Sequence, residues 1–380
     1  METMQPTLKR GRDVWNQINM PRKEFHQRID QVRKEMKKEG IDLLFLYGSG
    51  ANNYGNPCYI SQFITKMSRG ALVVLPLKDD PALIVQGFPR DRPAVKNTTW
   101  IEDIRSCGNI PLECIEYLKE KKAIPSTIGF AGLKQYMPYD QFRLLSGSLD
   151  QCKIIDADHI ISNMRMIKSE REQDHIRRSS RIINRAFEFL VSGPLPNLNE
   201  IILNANLDYA ARIEGAEDIR ILFAKPLETD WAFRPAEDVA IAEGDRIIIY
   251  LAAAFERYWS EGTRTFEVRS SSLIDQTPDQ AKALYERVLS KITPDKKISQ
   301  FYDEALGETG EGPGLAEYGL GQGIGLSPHE HPMINSDATG QFEEGMCFTL
   351  RVMSKDKKIG PCITGETILL SKDAAEVLTV

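Results

Sequence analysis

Three features of this sequence predict an α/β fold in two domains. Its 380 residues exceed what one hydrophobic core ordinarily serves, at roughly 100–200 residues per domain. Up to about residue 160, apolar strand runs alternate with helical stretches. Beyond that point the order helix, helix, hairpin occurs twice, which suggests two related halves closing on a shared site. The expected domains are residues 1–160 and 161–380.

The first domain opens with helical spacing of apolar residues from Pro21 to Lys38, then Gly40 and the apolar run Ile41 to Tyr47, a helix leading into a buried strand. Ala71 to Leu77 turns at Lys78-Asp79-Asp80-Pro81 into Ala82 to Val85, a hairpin signature. A helix at Leu112 to Lys121, a strand at Thr127 to Phe130, a helix near Tyr139 to Leu145 and a strand at Lys153 to Ile155 complete it. In the second domain Ser169 to Val191 reads as a long amphipathic helix, and a second helix runs from Leu198 to Glu214 after Gly193-Pro194-Leu195-Pro196. Strands at Arg246 to Leu251 and Tyr258 to Phe266 follow the turn signal Gly244-Asp245. Helices near Pro278 to Lys291 and Ile298 to Leu306 lead to a glycine-rich stretch, and strands at Met346 to Val352 and Glu366 to Leu370 close the chain.

Composition narrows the function. The net charge is −6 with both signs mixed, and the basic runs Lys34 to Lys38 and Lys119 to Lys122 read as solvated helix faces, so nucleic-acid binding is not expected. No stretch approaches the ~20 apolar residues of a membrane span, and Met1 to Gly11 lacks a signal-peptide core. A soluble, cytoplasmic protein is expected, and six scattered cysteines without a Cys-x-x-Cys pair suit a reducing compartment.

The chemistry concentrates in Gly319-Leu320-Gly321-Gln322-Gly323-Ile324-Gly325-Leu326-Ser327-Pro328-His329-Glu330-His331-Pro332. Glycines at alternate positions admit close approach of a ligand or strand, and a polar His-Glu-His cluster follows them. A glycine-rich surface loop is the competing reading.

Together with this stretch, Met166-Ile167-Lys168-Ser169-Glu170, Gly244-Asp245, Thr263-Arg264-Thr265, Glu344-Gly345-Met346 and Gly365-Glu366-Thr367 resemble the landmarks of the pita-bread superfamily of methionine aminopeptidases, prolidases, aminopeptidase P and creatinase. The resemblance runs from Ile161 to the end, and the first domain is similar to the creatinase/prolidase amino-terminal domain. The implied fold is that domain followed by a pita-bread catalytic domain with pseudo-twofold halves. Peptidases of the superfamily hold two divalent ions with two aspartates, a histidine and two glutamates. By position these fall on Tyr250, Glu261, Gln322, Arg351 and Gly365, so one of the five is a carboxylate. The resemblance therefore implies the creatinase-like branch without catalytic metal or other cofactor.

The expectation that follows is a metal-independent hydrolase of non-peptide C–N bonds in a small zwitterionic nitrogen compound. The catalytic candidates are Glu261, His329, Glu330 and Tyr250, as acid, base or nucleophile; the substrate-binding candidates are Arg351, Gln322, Trp231, Phe233, His331 and Arg264. A structural Glu261–Arg351 ion pair, a packed Tyr250, a Glu330 that only pins His329 and a scaffold role for Arg264 are the competing readings. Other functions left open are a metal-free lyase, isomerase or dehydratase, and a non-catalytic peptide- or protein-binding module. The resemblance to creatinase also implies a homodimer whose amino-terminal domain closes the neighbour's pocket, with Asn53, Tyr54, Tyr59, Phe63 and Arg69 as candidate contacts.

Overall fold

The computed structural model describes residues 14–50, 53–65, 69–122, 125–192, 199–225, 232–269, 272–275, 279–309, 320–356, 360–372 and 374–379. The chain forms two compact units, Met1–Arg165 and Met166–Val380.

In the first unit, α1 (Arg22–Lys38) precedes β1 (Leu43–Ser49), α2 (Gly55–Ser61) and the hairpin β2 (Gly70–Pro76) and β3 (Ala82–Gln86). Then come α3 (Arg92–Lys96), β4 (Asp103–Cys107), α4 (Ile110–Glu120), β5 (Thr127–Ala131), α5 (Leu133–Tyr136), α6 (Tyr139–Gly147) and β6 (Lys153–Asp156). One sheet results, in the order β4-β3-β2-β1-β5-β6, with β1, β2 and β3 antiparallel and the remaining pairs parallel. Phe45, Phe130, Tyr117 and Leu145 are among the residues of its core.

This unit uses its aromatic residues for packing. Tyr54, Tyr59 and Phe63 are buried, with the Arg28 guanidinium 4.5 Å from the Tyr59 ring centre. Asn53 accepts from the Gly55 amide at 2.8 Å, and Arg69 pairs with Asp91 at 3.1 Å. The five residues offered as contacts to a neighbour thus have partners or buried places within their own unit, Asn53 at the turn that leads into α2.

Helix α7 (Asp158–Met166) closes the first unit, its last residue Met166 opening the second, whose first full helix is α8 (Glu170–Val191). Ser169 and Glu172 start α8 with a capping box, Ser169 Oγ accepting from the Glu172 amide and the Glu172 carboxylate accepting from the Ser169 amide at 3.0 Å. After α9 (Glu200–Ile213) come β7 (Asp218–Ala224), β8 (Arg246–Phe255), β9 (Tyr258–Arg269) and β10 (Ser272–Asp275). The second half supplies α10 (Asp279–Leu289), α11 (Ile298–Thr309), β11 (Gly321–Gly323), β12 (Glu330–Ile334), β13 (Cys347–Asp356), β14 (Gly360–Leu370) and β15 (Ala375–Val377). A nine-stranded sheet follows the path β12-β11-β13-β14-β9-β8-β7, with β10 on β9 and β15 on β14. The long hairpins β8–β9 and β13–β14 meet at the β14–β9 seam, which is the expected relation of the two halves.

Strand parity sorts the sheet into two faces. Ile249, Leu251, Phe266 and Val268 pack with Ile183 and Leu207 of α8 and α9. In the other half Phe348, Leu350, Val352 and Ile368 pack with Val288 and Phe301 of α10 and α11. The helix pairs thus cover one face, and the intervening residues of each strand are left to form the other.

Gly321 on β11 is set by sterics, since a Cβ there would stand 1.8 Å from the Thr349 carbonyl oxygen, whereas one on Gly307 of α11 would meet nothing within 4 Å. Gly321→Ala is expected to cost about 3 kcal/mol or more by forcing β11 off β13. That loss lowers Tm by roughly 6–12 °C for a unit of this size. Gly307→Ala should instead stabilise by up to ~1 kcal/mol through helix propensity. Thermal unfolding of both variants checks the pair.

Candidate active-site face

On the face opposite the helix pairs, the register places the residues that matter in two adjacent rows. One row reads Leu222, Tyr250, Thr263, Gly365 and Arg351 across β7, β8, β9, β14 and β13. The next contains Arg220, Ala252 and Glu261, with Thr367 and Thr349 paired on β14 and β13 and Gln322 joined to Thr349. All five positions at which the superfamily's ion ligands were sought therefore fall on one patch.

Four of them form a single hydrogen-bonded chain. Tyr250 Oη donates to Glu261 Oε2 at 2.9 Å, and Arg351 Nη2 is in direct contact with Glu261 Oε1. Arg351 Nη1 donates to Gln322 Oε1 at 3.0 Å, and Gln322 Nε2 donates to the Pro328 carbonyl at 3.1 Å. The fifth position makes room for the chain: a Cβ on Gly365 would lie 3.2 Å from Arg351 Cγ and 3.0 Å from Thr263. Glu261 is 2 % exposed at its side chain, and its backbone amide is held by Thr367 Oγ1 at 2.9 Å. Burial, and then the Glu261 charge, hold the Tyr250 pKa well above its ordinary value, so it serves as a neutral donor.

Around this centre the expected residues take different parts. His329 is exposed beyond Pro328, and its pKa is lowered by desolvation ahead of the opposing pull of Glu261. Glu330 turns away from the chain of four: its carboxylate faces Lys168 Nζ at 3.4 Å and accepts from the Ser327 amide at 2.9 Å. This buried pair anchors the turn that carries His329. Phe233 is half-buried, 5.9 Å ring to ring from Tyr250, and packs against Ala224, Ile248, Met353 and Ile363, an apolar wall one row further along the same face. His331 is exposed on β12. Trp231, with the Glu228-Thr229-Asp230 loop, lies outside the described residues.

Arg264 needs the plainest correction. It is three residues from Glu261 on one strand and so points to the helix-covered face, where it pairs with Glu366 at 2.5 Å, donates to the Thr379 carbonyl at 3.2 Å and lies over the Phe187 ring of α8. A substrate on the site face does not reach it. Conversely, Arg220 and the floor residues Thr349 and Thr367 were missed. For Arg220 the signal was the alternation Asp218-Ile219-Arg220-Ile221, which marks a half-buried strand with its polar residues on one side.

A two-ion centre does not fit these residues. Divalent ions require several oxygen or imidazole donors, and a guanidinium supplies none. The one carboxylate in the set already engages Arg351 and Tyr250, and no cluster of three or more His, Cys, Asp and Glu side chains suited to an ion occurs among the described residues.

Removing one partner of so buried a pair leaves an uncompensated charge. Glu261→Gln should destabilise the protein by about 3 kcal/mol, and adding Arg351→Met should recover most of that. Chemical denaturation of both variants reads the difference. By proton NMR, His329 should titrate below 6.5; its depressed pKa makes a contribution to stability that is present above about pH 6.5 and lost as pH falls and the ring charges.

Comparison with known proteins agrees with this architecture. The profile of metallopeptidase family M24 matches residues 174–371, and that of the creatinase/prolidase N-terminal domain matches 28–167. An Xaa-Pro dipeptidase of Pyrococcus furiosus is 26% identical over 365 residues, 93% of this chain and 97% of its own. One of Pyrococcus horikoshii is 27% identical over 285 residues, 72% of this chain and 79% of its own. The crystal structure of the prolidase from Pyrococcus horikoshii OT3 superposes with a TM-score of 0.74 at 22% identity, covering 93% of this chain and 98% of that one. These relatives are named for peptide bonds, which overturns the expectation of a metal-independent hydrolase of non-peptide C–N bonds in a small nitrogen compound; the wrong step was to take the missing ligands as a pointer to creatinase-type substrates. From the matched profiles and the sheet that carries them, this chain belongs to metallopeptidase family M24, with a creatinase/prolidase N-terminal domain ahead of its pita-bread domain.

Proposed function

We propose that this protein binds short peptides of the Xaa-Pro class on the site face, as a metal-free branch of its family in which recognition has replaced two-ion hydrolysis. The observation that carries the reading is the chain Tyr250–Glu261–Arg351–Gln322 on the positions where ion ligands would stand. The guanidinium supplies positive charge where a cation would have supplied it, and it uses Glu261 as its counter-ion. Both Glu261 oxygens already accept hydrogen bonds, which argues against a carboxylate poised for attack. The peptide class is supported by the names of the Pyrococcus relatives. The apolar wall of Phe233, Ile248, Met353 and Ile363 beside the polar chain suits a compact apolar residue such as proline.

In this reading His329 and His331 are rim contacts, and the functional domains divide at residues 160/161. The protein acts in the cytoplasm as a homodimer, and no described helix is long and apolar enough to cross a membrane.

Calorimetric titration with Ala-Pro, run beside an assay for proline release with and without added Mn²⁺ or chelator, tests the proposal. Saturable, chelator-insensitive binding without turnover is the expected result. Proline release that requires the added ion would overturn it and make the chain a working dipeptidase; absence of any binding would remove the peptide class.

A further inference from the structure

The turn that joins β8 to β9 holds two charged residues where a two-residue hairpin turn ordinarily takes Asn-Gly. Glu256 and Arg257 are each 1 % exposed, and their φ angles of 44° and 78° lie in the left-handed region that a Cβ disfavours. Each is held there by a side chain from another element. The Arg257 guanidinium and backbone amide both donate to the carboxylate of Glu217, just ahead of β7, at 2.9 Å. Glu256 Oε2 lies 3.1 Å from Nε2 of His175 on α8, a residue 3 % exposed.

Counting protons makes the second contact unusual. His175 Nδ1 stands 2.6 Å from the Arg171 carbonyl oxygen, which can only accept. A neutral imidazole carries one N–H. Donated to Arg171, it leaves the Nε2 lone pair facing the Glu256 carboxylate; moved to Nε2, it leaves the Nδ1 lone pair facing the carbonyl. Either tautomer opposes two acceptors at hydrogen-bond distance inside the protein. One additional proton, on Nε2 or on Glu256, resolves both contacts and makes the pair neutral overall, as imidazolium beside carboxylate or imidazole beside carboxylic acid. The other charged and titratable groups about the pair are engaged elsewhere: Glu172 accepts from Tyr258 Oη at 3.1 Å, Arg178 lies 5.4 Å from the Phe255 ring centre, Arg257 is matched by Glu217, and Arg171 is exposed.

The same turn is tied to the loop that carries His329. The Tyr258 carbonyl accepts from Ser179 Oγ at 2.7 Å, and the next residue, Trp259, donates its amide to the Gly325 carbonyl at 2.7 Å. Gly325 in turn donates its own amide to the Ser327 carbonyl at 3.1 Å, two residues before His329. We infer that His175 and Glu256 share one ionisable proton that locks the β8–β9 turn, and that its loss as pH rises releases the turn and loosens the His329 loop. The proton passes to water or hydroxide, only its N–H or O–H bond breaks, and the buried pair goes from neutral to one net negative charge. The left-handed strain at Glu256 and Arg257 then favours opening. The lock is closed at low pH, where the proton is bound, and this inference stands apart from the peptide reading above.

The test is NMR of the full chain with isotope-labelled histidine, read from about pH 5 to about pH 9, together with hydrogen exchange at the Trp259 amide. One ionisation of the His175–Glu256 pair is expected, and the protection factor of the Trp259 amide should fall with it by on the order of 10- to 100-fold while amides of α11 keep theirs. In Glu256→Gln the side-chain amide can donate to Nε2 of a neutral His175, so no extra proton is needed and Trp259 protection should become independent of pH. Glu256→Ala removes the partner and should lower Trp259 protection at every pH. The wild-type titration stands even where a substitution perturbs folding, and a pair that neither gains nor loses a proton across the range would overturn the inference. So would Trp259 protection that does not follow the titration, or a Glu256→Gln protein that keeps the wild-type pH dependence.

Discussion

A carboxylate and a guanidinium buried side by side at the β9–β14–β13 seam set the character of the whole site. Isolated in a sheet interior, either charge would cost several kcal/mol. Together they are tolerated because each has further partners: Glu261 accepts from Tyr250, and Arg351 donates to Gln322. Gly365 completes the arrangement by leaving its face bare beneath the arginine stem. The positions that hold ion ligands in the peptidases are thus filled by groups that neutralise one another, and such a set works as a unit or is lost as one.

The same pair explains the division of labour around it. Arg351 is committed to Glu261, whereas Arg220 on the adjacent strand row has no ion pair among the described residues. Glu330 holds the turn carrying His329 through Lys168 and the Ser327 amide, and Gln322 ties the same turn to the central pair through the Pro328 carbonyl.

Much of the second domain could be read directly. The apolar runs Arg246 to Leu251 and Tyr258 to Phe266 and the amphipathic spacing of Ser169 to Val191 gave β8, β9 and α8 to within a few residues at most ends. Period-two counting, carried one step further, would also have removed Arg264 from the site, since residues three apart on a strand face opposite ways. Strand β7 escaped because its two charges, Asp218 and Arg220, disguise an otherwise apolar run. Substrate class escaped for another reason: absent ligands say what chemistry a site lacks, and that is silent on what it binds.

Sequence by itself determined which residues share a face of each strand, because side-chain parity is a local property of the backbone, and it determined that four of five expected ligand positions are not carboxylates. Tertiary structure alone decided which strands stand side by side, and hence that Arg351 meets Glu261 across the seam, that Glu330 turns to Lys168, and that Arg220 comes onto the row of Glu261. Those pairings join residues between about thirty and more than one hundred and sixty positions apart. They depend on the long-range register of a nine-stranded sheet, which no local pattern encodes.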